Sequence, residues 1–165
     1  MGSAAGCYPM LCIHIVSSVA SVSRFQDLPE WGRELLDRAR VGRLGLLDDR
    51  DHPRVLPVTF AVASGALWSA VDDKPKRGEP ARVRYLRRSP RAALTVDHYD
   101  DDWAELAWVQ VLGTVEVLEI AVESAAAGLD ALARKYPQYQ GAPPRGPVFR
   151  LAPRRALWWR AADSS

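Results

Sequence analysis

Lys74, Lys76, Arg77 and Arg82 follow closely on the strand-like run LWSAV at residues 67–71, and cations gathered at the tip of a strand suit the capture of an anion. Between Lys74 and Arg91 there are eight basic residues against a single acid, Glu79. The sequence carries no glycine-rich phosphate or dinucleotide fingerprint, so a phosphate would have to be held by side-chain cations. Lys74, Lys76 and Arg82 are the candidates, because a loop and the first turn of the helix after it can converge on one group. The N-terminus of that helix adds partial positive charge. A solvated basic loop is the competing reading of the same residues. Nothing points to side-chain nucleophilic catalysis: His14, His52 and His98 are scattered, and neither a Gly-x-Ser-x-Gly elbow nor a reactive cysteine context occurs. The acidic stretch at residues 97–102 lacks the alternating ligands and the glycine of a calcium loop, so no metal site is expected.

These cations need a scaffold, and length and composition bound it. At 165 residues, with 48% hydrophobic and 25% charged residues, the chain fits one compact domain with one core. A net charge of +2 is only mildly basic and does not call for nucleic acid. The apolar run 10–22 is broken by His14 and three serines, too polar and too short for a membrane span. Residues 1–26 therefore read as a flexible extension, residues 27–165 as the folded domain, and the expected location is the cytoplasm.

Hydrophobic periodicity predicts the elements. Leu28 to Arg40 is read as an amphipathic helix capped by Asp27, with Trp31, Leu35, Leu36 and Ala39 at helical spacing. Residues 43–47 and 54–63 alternate as strands. Pro57 lacks an N–H, so the ladder is expected to break there or to run along a sheet edge. Ser64 and Gly65 make a tight turn into strand 66–71. Pro80 opens a short helix that Ser89-Pro90 stops, and residues 91–97 and 106–118 are strands, the second bent at Gly113. A helix with Val122, Ala125, Leu129, Leu132 and Tyr136 on one face follows. Residues 148–151 and 156–159 are read as two strands separated by Pro153. Short antiparallel strands with few helices point to a small closed or split barrel.

Four segments bear a family resemblance: LPVTF (56–60), LWSAV (67–71) with basic residues after it, RYLRRSPRAAL (84–94) and WVQVLGTVEVLE (108–119). Together they resemble the split-barrel flavin and deazaflavin proteins related to pyridoxamine 5'-phosphate oxidase. DDKPKR and DHYDDDW are similar to an actinobacterial subgroup associated with the deazaflavin coenzyme F420. The resemblance implies a mainly β (α+β) fold, a six-stranded antiparallel split β-barrel with flanking helices, and a homodimer with the coenzyme at the interface. It implies an F420-dependent oxidoreductase passing a hydride between coenzyme and a small electron-poor organic molecule. The alternatives are an FMN-dependent enzyme of the oxidase type and a non-catalytic flavin carrier. On this resemblance Pro57, Val58 and Thr59 lie along the tricyclic ring, and Ser69, Ala70 and Val71 border the ribityl chain and phosphate. Lys74 and Arg82 take the phosphate, while Trp108 and Trp158 either contact the ring from the partner subunit or pack in the core or interface. Arg84, Arg87 and Arg88 are offered for the oligoglutamate tail of F420.

Overall fold

The computed structural model describes residues 19–72 and 78–161. Its centre is one antiparallel sheet of eight strands in the order β3-β2-β6-β7-β8-β5-β4, with β1 also paired to β8. The strands are β1 (Ala20–Val22), β2 (Gly42–Leu47), β3 (Pro53–Val58), β4 (Ala61–Ala63), β5 (Ala66–Ala70), β6 (Arg91–His98), β7 (Ala107–Leu118) and β8 (Val148–Arg160). The helices are α1 (Glu30–Arg38), α2 (Ala81–Arg88), α3 (Ala126–Lys135) and α4 (Gln138–Gly141). The result is the expected mainly β, barrel-like α+β architecture with flanking helices, but with eight strands in place of six.

Two short strands account for the difference. Ala20–Val22, inside the stretch read as an extension, pair with Trp158, Leu157 and Ala156. Beyond Val58 the chain leaves its ladder at Thr59 and Phe60, so the predicted strand 54–63 becomes β3 and a separate β4. The break does not fall at Pro57. That residue sits opposite Arg43 in an uninterrupted ladder on an edge strand, where a missing N–H costs no pairing.

β8 corrects a second expectation, because it runs unbroken through Pro153. Along β7 the register shifts between Leu112 and Gly113, whose partners are Arg155 and Pro153, leaving Arg154 as the extra residue of a bulge. A Cβ at Gly113 would lie 2.1 Å from the carbonyl oxygen of Ala152, so the bend predicted there requires glycine. Beyond the bulge β8 exchanges its neighbour β5 for β1. Asp27 does not cap α1 either: Pro29 holds the cap position, and Asp27 instead accepts hydrogen bonds from Arg24. The Ser64-Gly65 turn has positive φ at both residues, 50° and 69°, as a tight two-residue hairpin demands.

The strands bury two cores. Alternate residues such as Leu44, Leu94, Val96, Val109 and Val111 point into the barrel with Leu35 and Leu36 of α1 and Val83 and Leu86 of α2. α3 covers the other face of β5, so that all five residues of this strand are buried. Contact is close enough that a Cβ on Gly128 of α3 would fall 2.2 Å from the Trp68 ring. No helix among the described residues is long and apolar enough to cross a membrane.

Candidate functional site

Where β3 ends and the chain breaks away at Thr59-Phe60, the neighbouring β5 and the first turn of α2 leave a cleft of about 770 Å³. Pro57, Val58 and Thr59 line one wall, Ser69 and Ala70 another, and Arg82 reaches in from α2. Six of the residues singled out from the sequence thus meet in one place, although they come from three elements. Val71 does not line it: the residue is 3% exposed and turned into the barrel core, with its N–H on Pro147 O at 3.0 Å. Trp108 lies on β7 opposite Trp159, away from the cleft of its own chain. Lys74 and Lys76 fall outside the described residues.

Sequence reasoning missed the far wall, which α3 and α4 supply through Tyr136, Gln138 and Tyr139, with Arg40 from the segment after α1. Tyr136 is 5% exposed, and its hydroxyl accepts the N–H of Phe60 at 3.0 Å. Its own proton is shared between the carbonyls of Phe60 and Arg40, each at 2.9 Å. This hydroxyl replaces the strand partner that the break removes from a fully buried residue. Burial pushes the Tyr136 phenol up from its ordinary pKa, against the hydrogen bond from Phe60, so it stays a donor. Tyr139 packs against Tyr136 with ring centroids 5.7 Å apart, and its hydroxyl lies 2.8 Å from Thr59 Oγ1. The only hint in the sequence was Tyr136 at the end of a helical apolar stripe, a position that reads as core.

Electrostatically the cleft favours anions. Arg82 is half-buried, and its Nε is shielded from water without a hydrogen-bond partner among the described residues. An N–H left in that state is costly unless something else accepts it. Arg40 has its guanidinium 4.6 Å above the Tyr136 ring and donates to Lys135 O. Asp72, also on the lining, has a partner of its own. The outward arginines of α2 are differently placed: Arg84 pairs with Asp49 at 2.7 Å, Arg87 with Glu79 and Glu119, and Arg88 with Asp51. They pin α2 to the loops around it, and their neutralised charge no longer argues for an oligoglutamate tail.

A hydrocarbon-lined wall, a broken strand end and a half-buried cation can together hold a flat molecule that ends in an anion. The sequence model of the family described as Pyridoxamine 5'-phosphate oxidase matches residues 28–160. Among solved structures, a conserved hypothetical protein of Mycobacterium tuberculosis superposes with a TM-score of 0.66 at 20% identity, covering 81% of this chain and 86% of that one. A FAD-binding protein of Mesorhizobium loti gives 0.59 at 19% identity, over 85% and 96% of the two chains. A heme binding protein from Mycobacterium smegmatis gives 0.55 at 25% identity, over 80% of this chain and 55% of that one. No curated protein matches the sequence significantly.

Proposed function

Because the chain belongs to the pyridoxamine 5'-phosphate oxidase family, we propose that it is an oxidoreductase that holds a phosphate-bearing flavin-type coenzyme in the cleft between β3, β5 and α2. The observation that carries this reading is the buried Nε of Arg82, without a partner among the described residues, which a coenzyme phosphate would satisfy with a charge-assisted hydrogen bond. The sequence assigns Lys74 and Lys76 to the same phosphate. Pro57, Val58 and Thr59 lie along the ring, and Ser69 and Ala70 border the ribityl chain. Bound there in its reduced form, the coenzyme would supply a hydride to an electron-poor double bond of a small organic molecule. The protein binds, orients and keeps water from the ring, which fits a sequence with no catalytic side-chain set.

F420 is the coenzyme of first choice on the resemblance of DDKPKR and DHYDDDW, with FMN as the alternative. The second subunit of a homodimer closes the site. In support of that assembly, a groove of about 690 Å³ on the sheet is lined by Leu47, Val55, Ala93 and Leu112, and Val55 is 67% exposed.

Titration of the coenzyme-free protein with F420 and, separately, with FMN, followed by fluorescence, tests the reading. Micromolar F420 binding is expected. Binding of FMN alone would overturn the deazaflavin choice, and binding of neither would overturn the function. Binding without turnover across a panel of quinones and enones would make the protein a carrier.

A further inference from the structure

The cleft holds one cation more than a phosphate needs. Arg82 stands beside β5, at the end assigned to the phosphate, whereas Arg40 stands on the aromatic wall with Tyr136 and Tyr139. We propose that Arg40, together with the paired hydroxyls of Thr59 and Tyr139, forms a second anion subsite that takes a carboxylate. The subsite deepens the coenzyme reading of this cleft and rests on it.

The geometry fixes the guanidinium before any ligand arrives. Stacking over Tyr136 at 4.6 Å orients its plane, and the bond from Nη1 to Lys135 O anchors one corner. Arg40 is exposed and makes no other side-chain hydrogen bond among the described residues, so its remaining N–H groups can meet a ligand, and two donors in one plane match the two oxygens of a carboxylate. No carboxylate of the described residues is within ion-pair distance of Arg40, whereas Arg84, Arg87 and Arg88 of α2 each have one. Lys135, with Nζ 2.8 Å from Leu36 O and 4.0 Å from the Phe60 ring centroid, adds positive potential behind it. At the Thr59–Tyr139 pair, each hydroxyl has one proton and only one of the two is used between them. The other proton is available to an acceptor in the cleft. Gln138 adds an amide at the same wall.

Beside the place assigned to the ring, that chemistry suits a small substrate acid; the carboxylate-rich tail of a deazaflavin coenzyme is attached beyond the phosphate, at the Arg82 end, and reaches Arg40 only by folding back. Calorimetric titration of wild type, Arg40→Gln and Arg40→Lys separates them. The first probe pair is sodium 4-methoxycinnamate against its methyl ester; the second is F420 with its glutamates against the glutamate-free form. Wild type is expected to prefer the charged member of at least one pair by tenfold or more. Arg40→Gln reduces that preference to under twofold and lowers the affinity for FMN, which has no carboxylate, by a smaller factor than that for the carboxylate ligand. Arg40→Lys, which keeps the charge and loses the fork, retains part of the preference. Preference within the first pair assigns the subsite to substrate, within the second to the coenzyme tail. Indifference of wild type to both pairs, or a preference that survives Arg40→Gln, overturns the subsite. If neither F420 nor FMN binds but the acid is still preferred through Arg40, the coenzyme reading fails and the subsite stands.

Discussion

Replacing Tyr136 by phenylalanine tests whether one hydroxyl holds open the break on which the cleft depends. Phe60 is fully buried, and its N–H and C=O have left the β3 ladder. The N–H lies 3.0 Å from the Tyr136 hydroxyl, and the carbonyl lies 2.9 Å from it. Phenylalanine keeps the ring and its packing, so no sizeable cavity opens. The loss is the hydrogen bond and the desolvation of an N–H with no other acceptor, together about 2–3 kcal/mol. For a domain of this size each kcal/mol moves the midpoint by about 2–4 °C, so Tm falls by about 4–12 °C. Urea unfolding at unchanged m gives the free energy directly. Tyr139→Phe is the comparison: Tyr139 is half-buried and its hydroxyl meets only Thr59 Oγ1 among the described residues, so it costs less than about 1 kcal/mol. A loss below about 0.5 kcal/mol for Tyr136→Phe, or equal losses for the two variants, would refute the assignment of the break to this hydroxyl.

Three further outcomes follow from the geometry. Arg82→Gln weakens binding of a phosphate-bearing coenzyme by about 1.5–3 kcal/mol, read by fluorescence titration, yet lowers the coenzyme-free Tm by about 4 °C at most, since Nε has no hydrogen-bond partner among the described residues and only the contact with the Phe149 ring is lost. Gly128→Ala destabilises by about 1–3 kcal/mol in urea, because the new methyl would enter the ring of buried Trp68. Burial lowers Lys135 from 10.5 to about 8, so the unfolded chain holds this proton more tightly than the folded one. Stability therefore rises between about pH 8 and 10.5. Discounted for a side chain still partly in water, the gain is about 1 kcal/mol. Lys135→Met removes that rise, which parallel unfolding curves at pH 7.5 and 10 check.

Local chemistry was sufficient for many of the elements. Alternation marked β2, β6 and β7, Pro80 and Ser89-Pro90 bracketed α2, Ser64-Gly65 marked a hairpin, and Gly113 marked a bend, because period, fixed φ and missing side chains act within a few residues. The sequence also contained Pro57, Val58, Thr59, Ser69, Ala70 and Arg82, which the fold brings to one cleft. Long-range pairing decided the rest. Pro153 reads locally as a strand breaker, but a bulge opposite Gly113 lets β8 continue past it. Residues 20–22 gain strand structure from β8 and would have none alone. Tyr136 sits in an apolar stripe, and its role depends on Phe60 and Arg40, 76 and 96 residues away. Nothing local distinguishes a hydroxyl that caps a distant broken strand from one that faces water, or an arginine stacked in a cleft from one on the surface. Those identities are set by which backbone groups the tertiary structure leaves unpaired.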